Sequence, residues 1–157
     1  MKAGYKAVGV MLLLIMSNMA YSQNWLEKLD LNQYEGKVIY LDFWASWCGP
    51  CRKSFPWLNE MEDRYNDKDL VIIGVNLDTD IALANQFLEN IPASFKLFSD
   101  PEGNLAERYK LIGMPSSFVI DRHGEVRHRH VGFKKSDIAS YEASIKALLN
   151  EPFQDVN

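Results

Sequence analysis

The chain has 157 residues, 17 basic and 21 acidic side chains, a net charge of −4 and 47% hydrophobic content. That length suits one domain of ordinary size, and the hydrophobic share is enough for a packed core. The acidic balance, with no basic run longer than Arg127-His128-Arg129-His130, excludes a nucleic-acid groove.

Lys2 and Lys6 precede an apolar run from Ala7 to Met16, and Ala20-Tyr21-Ser22 fits a small-x-small cleavage site. This three-part order predicts a signal peptide over residues 1–22. The run is shorter than the roughly 20 residues of a spanning helix; an uncleaved anchor reaching Ala20 is the alternative. No cysteine lies near the cleavage site, so a lipid anchor is not expected. Cleavage after Ser22 removes two lysines and no acids, leaving 15 basic and 21 acidic residues and a charge of −6. Export places the protein in an oxidising compartment, the bacterial periplasm, where a thiol pair stays reduced only if it is supplied with electrons.

Val38 to Trp44 reads as a buried strand. Directly after it come the only two cysteines, Cys48 and Cys51, around Gly49-Pro50. A structural zinc needs four ligands; there is no second cysteine pair and the nearest histidine is His123, so no metal is expected. A C-x-x-C pair behind a strand reads instead as a redox dithiol. Pro50 suits a first helical turn, where its missing N–H costs nothing. The helix is therefore predicted from Cys48 to about Tyr65, kinked near Pro56. Cys48 at its start sits where free N–H groups and the helix dipole favour a thiolate, with a pKa below the free value of about 8.5. It is expected to be the accessible nucleophile, and Cys51, one turn on, the shielded resolving thiol.

Leu70 to Asn76 predicts a second strand, parallel to the first. A helix over Asp80–Asn90 follows, with Ile81, Ala84, Phe87 and Leu88 on one apolar face, and then a short strand over Phe95–Phe98. A short helix is expected around Leu105–Tyr109. Ser116–Ile120 and Glu125–Val131 form a hairpin across Asp121-Arg122-His123-Gly124. His128 and His130 share a face of the second of these strands, which is expected to be exposed. Lys135–Leu149 is a closing helix, capped by Ser136-Asp137 and buried through Ile138, Tyr141, Ile145 and Leu148. Residues 151–157 read as a frayed tail after a single domain over 23–150. Helices on both faces of a mixed sheet make an α/β fold.

The stretch from Leu41 to Lys53 resembles the active-site segment of thioredoxin. Pro56 resembles the proline in the helix after that site. Gly113-Met114-Pro115-Ser116-Ser117-Phe118 resembles the cis-proline loop and the strand leaving it, and Val131-Gly132 resembles the glycine of the last hairpin. With an exported N-terminus and an αβ insertion over Asp78–Asp100, the chain is similar to the TlpA/ResA-like branch of exported thioredoxin-like reductases. Two features depart from that branch. Only Gln23 to Gly36 is left for its extra N-terminal hairpin, which must be short or absent. Ser54 stands where a ResA-type glutamate would be, and Asp42 is present instead, as in thioredoxin.

The resemblance implies reduction of protein disulfides through Cys48 and Cys51, with no cofactor beyond their disulfide. Asp42 would exchange a proton with Cys51, unless the strand turns it to solvent. Trp47, Gly49, Pro50, Met114, Pro115 and Gly132 would line the substrate site, although Trp44, Trp47 and Met114 also read as packing residues. Implied partners are a disulfide-containing protein and a membrane electron donor, for a protein expected to be a monomer. A disulfide oxidase or isomerase, and a copper-binding chaperone using the thiols as soft ligands, stay open.

Overall fold

Seven consecutive residues that are nearly all apolar leave neither face suited to water, so Val38–Trp44 (β1) forms the middle of the sheet with all seven buried. The computed structural model describes residues 29–153; the expected signal peptide and residues 154–157 lie outside the described residues. Leu70–Asn76 (β2) runs parallel to β1, and Lys96–Ser99 (β3) runs parallel to β2. Ser116–Ile120 (β4) is antiparallel to β1, and Val126–Val131 (β5) is antiparallel to β4. The resulting order is β3-β2-β1-β4-β5. The helices are Gly49–Tyr65 (α1), Ile81–Asn90 (α2), Asn104–Arg108 (α3) and Ile138–Leu149 (α4). This is the expected α/β architecture with its αβ insertion, here α2 and β3.

Successive side chains of a strand point to opposite faces, and β1 divides two cores accordingly. Val38, Tyr40 and Trp44 pack with Phe55, Leu58 and Met61 of α1 and Ile145 and Leu148 of α4. Ile39, Leu41 and Phe43 pack with Ile73, Val75, Phe118 and Ile120, covered by Leu105 and Tyr109 around α3. The insertion docks through an aromatic cluster. Trp44 lies 4.8 Å from Phe87 and 4.9 Å from Phe55, and Phe55 lies 5.2 Å from Phe95, by ring centroids. Gly74 on β2 makes room for it. A Cβ there would come within 2.9 Å of Leu97 and Phe95 and 3.2 Å of the Trp44 indole nitrogen.

The sheet edges differ. β3 pairs only with Ile73–Asn76, so Leu70–Ile72 of β2 lie beyond its reach. β5 is edged with Arg127, His128 and Arg129, all exposed. At the end of the sheet away from the cysteines, the Arg122 guanidinium donates to the Gly36 carbonyl at 2.7 Å and the Leu149 carbonyl at 3.3 Å.

Several expectations are corrected. Ile81 is 36% exposed, so α2 packs through Ala84 and Phe87 with Leu88 beside them. No side chain caps α4: Ser136 donates to the Asp137 carboxylate, and the helix is entered through a 3-10 turn over Lys135–Asp137. His130 is only half exposed, its ring 4.9 Å from Tyr141 and its Nε2 3.1 Å from the Ser144 hydroxyl. The start of the tail is docked: Glu151 pairs with Arg127 at 3.1 Å, and Phe153 lies against Gly36 and the His123 ring. Before β1 the described residues hold a 3-10 turn over Leu31–Tyr34 and no strand. Among the described residues no helix is long and apolar enough to cross a membrane.

Candidate active site

β1 ends at Trp44, and the chain must turn sharply to start α1 at Gly49. The Cys48 N–H closes that turn on the Ala45 carbonyl at 3.1 Å. A buried carboxylate holds the loop. Asp78 accepts from the Ser46 N–H and the Ser46 hydroxyl, both at 2.9 Å, and from the Asn76 amide at 2.8 Å. The sequence offered Asp78 only as the start of the insertion. Its Ser46 partners lie on a loop 32 residues away, which no local pattern displays.

Cys48 and Cys51 are joined as a disulfide, S–S 2.00 Å. Cys48 occupies the position just before α1, and its sulfur accepts from the Cys51 N–H at 3.2 Å. This is the place and bond of a helix N-cap, with sulfur standing where serine or threonine oxygen normally accepts. Orphan N–H groups and the helix dipole favour negative charge there. The predicted contrast in accessibility is much reduced in this oxidised state: Cys48 is 3% exposed and Cys51 0%. Gly49 and Pro50 are exposed on the outside of the same turn. Trp47, at 70% exposure, projects from it beside α2; with Arg52, Leu83, Gln86 and Phe87 it borders a shallow cleft of about 280 Å³.

Asp42 faces the α1 side of the sheet, as its spacing from Tyr40 and Trp44 requires. It is 1% exposed, so the strand does not turn it to solvent. The Ser117 hydroxyl, directly opposite on β4, donates to its Oδ1 at 2.6 Å. Oδ2 has no hydrogen-bond partner. On its other side the register neighbour is Gly74, which brings no polar group. Burial lifts the carboxyl pKa from 3.8 to about 7, with the Ser117 bond pulling the other way. An acid so poised exchanges protons at neutral pH.

The Met114–Pro115 peptide is cis. Pro115 is buried, and Met114 packs against the core that holds both cysteines. The Gly132 N–H donates to the Pro115 carbonyl at 2.7 Å, and Gly132 has a φ of 79°, a conformation suited to glycine. Ser116 donates to the Gly113 carbonyl at 2.7 Å. Because Phe43 is level with Ser116 and Ser116 with Val131, this loop, Gly132 and the cysteine turn share one end of the sheet. Trp44 belongs to the core. Ser117 was visible in the sequence only as a polar residue in an apolar strand, a signal without a partner attached. Among the described residues no group of three or more His, Cys, Asp or Glu side chains could hold a metal ion.

Residues 16–145 match the sequence model of the Redoxin family. The chain is 38% identical over 101 residues to the thiol-disulfide oxidoreductase ResA of Bacillus thuringiensis, a stretch covering 64% of this chain and 58% of that protein. It therefore spans less than two thirds of that relative. Its fold superposes with a TM-score of 0.76 on a Chlorobium tepidum protein assigned as the thiol:disulfide interchange protein DsbE, at 47% identity, covering 78% of this chain and 86% of the other. The exposed lipoprotein thioredoxin Etrx1 of Streptococcus pneumoniae gives a TM-score of 0.68 at 28% identity, covering 78% and 93%.

Proposed function

The chain belongs to the Redoxin family, and from that membership and the site's geometry we propose that it is an exported thiol-disulfide oxidoreductase that reduces protein disulfides. The observation that carries the proposal is the Cys48–Cys51 disulfide set as the cap of α1, above a buried carboxylate.

In the reduced enzyme Cys48 is the thiolate, favoured by the helix N-terminus. It attacks one sulfur of a substrate disulfide; the S–S bond breaks, the other substrate sulfur leaves as a thiolate, and a mixed disulfide forms. Asp42 takes the proton from Cys51. The Cys51 thiolate attacks Cys48, the enzyme disulfide closes and the second substrate thiol departs. Two electrons have then passed to the substrate, and the enzyme is left in the oxidised form described above. A membrane-held dithiol recharges it. The disulfide is itself the redox group, so no further cofactor is required.

Surface chemistry supports a polypeptide substrate. Of the six large apolar side chains exposed among the described residues, five (Trp47, Ile81, Leu83, Ile112 and Val131) lie in segments at the cysteine end of the sheet. Exposed apolar area gathered at one place marks a protein-binding surface. An extended substrate strand would lie along Met114-Pro115, past Gly132, with Trp47, Gly49 and Pro50 on its other side. The pneumococcal relative is an exposed lipoprotein, which accords with work outside the cytoplasm. The enzyme acts as a monomer in this reading.

Direction is tested by redox equilibrium. Gly49-Pro50 is the thioredoxin pair, so titration against glutathione should give a potential nearer about −270 mV than about −120 mV. A value above about −180 mV would replace the reductase by an oxidase or isomerase.

A further inference from the structure

Asp42 is buried on every side, yet only one of its oxygens has a partner, and that partner is the Ser117 hydroxyl. The Tyr40 phenol is also buried on this side, two residues from Asp42 on the same face of β1. Burial keeps that phenol protonated far into alkaline solution. A serine hydroxyl has one proton and two lone pairs. Here that one proton is given to Asp42 Oδ1. Other groups on this side include Cys48 just before α1, Cys51 and Tyr65 on α1, Tyr141 on α4 and His130 on β5, while the register neighbour on β2 is Gly74. None of them bonds to Asp42.

We propose that Ser117 is the positioning residue for Asp42: its hydroxyl, bonded to Oδ1, aims the carboxylate so that Oδ2 is the oxygen that exchanges the proton, and sets the pH at which it does so. The inference rests on the reading of Asp42 as the proton acceptor for Cys51. Oδ1 is occupied at 2.6 Å, which leaves Oδ2 as the free base. The bond favours the charged carboxylate, so its loss moves proton exchange to higher pH.

The test is the pH profile of mixed-disulfide resolution. The reduced enzyme is mixed with a synthetic peptide disulfide, and release of the second peptide thiol is followed from pH 5 to 10 in wild type, Ser117→Ala, Ser117→Thr and Ser117→Val. Ser117→Ala should move the midpoint upward by about one to two pH units, as expected for a lost hydrogen bond to a charged group. Threonine and valine have nearly the same shape and differ in the hydroxyl, so threonine should restore the midpoint and valine should not. In an Asp42→Asn background, Ser117→Ala should move nothing. An unshifted profile in both Ser117→Ala and Ser117→Val, with Asp42→Asn still abolishing the titration, overturns the inference and leaves the mechanism intact. A profile indifferent to Asp42→Asn overturns both.

Discussion

Leu41 and Asp42 are neighbours on β1, both are buried, and they face opposite sides of the sheet. Leu41 packs into an apolar cluster of Ile39, Phe43, Ile73, Val75, Phe118 and Ile120, with the buried Ser116 at its edge beside Phe43. Around Asp42 the buried set includes Ser117, Ser54 and Ser144 along with both cysteines. The first face has only packing to do. The second accepts a desolvated acid and an unpaired oxygen, which cost stability and gain nothing from packing. Adjacent positions on one strand thus have opposite effects on the fold, and the less favourable one is the residue proposed to move a proton.

Asp42→Asn gives the largest expected effect on stability. The folded chain holds this proton up to about pH 7, whereas the ordinary carboxyl value of 3.8 applies once it unfolds. Wild-type stability therefore falls as pH rises between those values. The asparagine variant should be more stable above pH 8, by up to about 4 kcal/mol, and nearly equal at pH 4. Urea melts of the oxidised proteins at the two pH values measure this. In the reduced enzyme the same change should slow mixed-disulfide resolution by about 100-fold and leave the first attack little altered. A variant equally stable at both pH values would erase the contrast between the faces.

Leu41→Ala should do the reverse. A cavity in the apolar core should cost about 3 kcal/mol at any pH. Thiol exchange by the folded fraction should be unchanged, which a rate normalised to native signal would report. Gly74→Ala is the mildest and sits on the boundary between site and insertion. Its methyl meets Leu97 and Phe95 at 2.9 Å, so overpacking should cost about 2 kcal/mol. The loss should appear in thermal melts, with faster proteolysis of α2 and β3.

The strands were legible because they are central. β1 and β2 are buried on both faces, so their apolar runs coincide with the structural boundaries. The cysteine pair was equally plain, since its chemistry depends on spacing within one turn. What escaped was made by distant partners. Ser117 is 75 residues from Asp42, and Asp78 is 32 from the loop it holds. His130 looked like part of an exposed strand until α4 brought Tyr141 and Ser144 against it. Ile81 satisfied the helical period, but α2 lies at the sheet margin and buries a stripe too narrow to include it. Phe153 needed the Gly36 turn, at the other end of the described chain, to show that residues 151–153 are held.

The half-covered margin of β2 bears on what this protein must avoid in solution. Seven buried residues, Leu70-Val71-Ile72-Ile73-Gly74-Val75-Asn76, carry no charge and no proline, the composition that recruits other chains into cross-β stacks. β3 closes one half of that margin. The α2–β3 segment therefore shields the sheet against self-association as well as forming one wall beside the cysteines. A chain shortened by that segment would expose a bare apolar strand to its own neighbours, and its failure would be precipitation before any loss of redox chemistry.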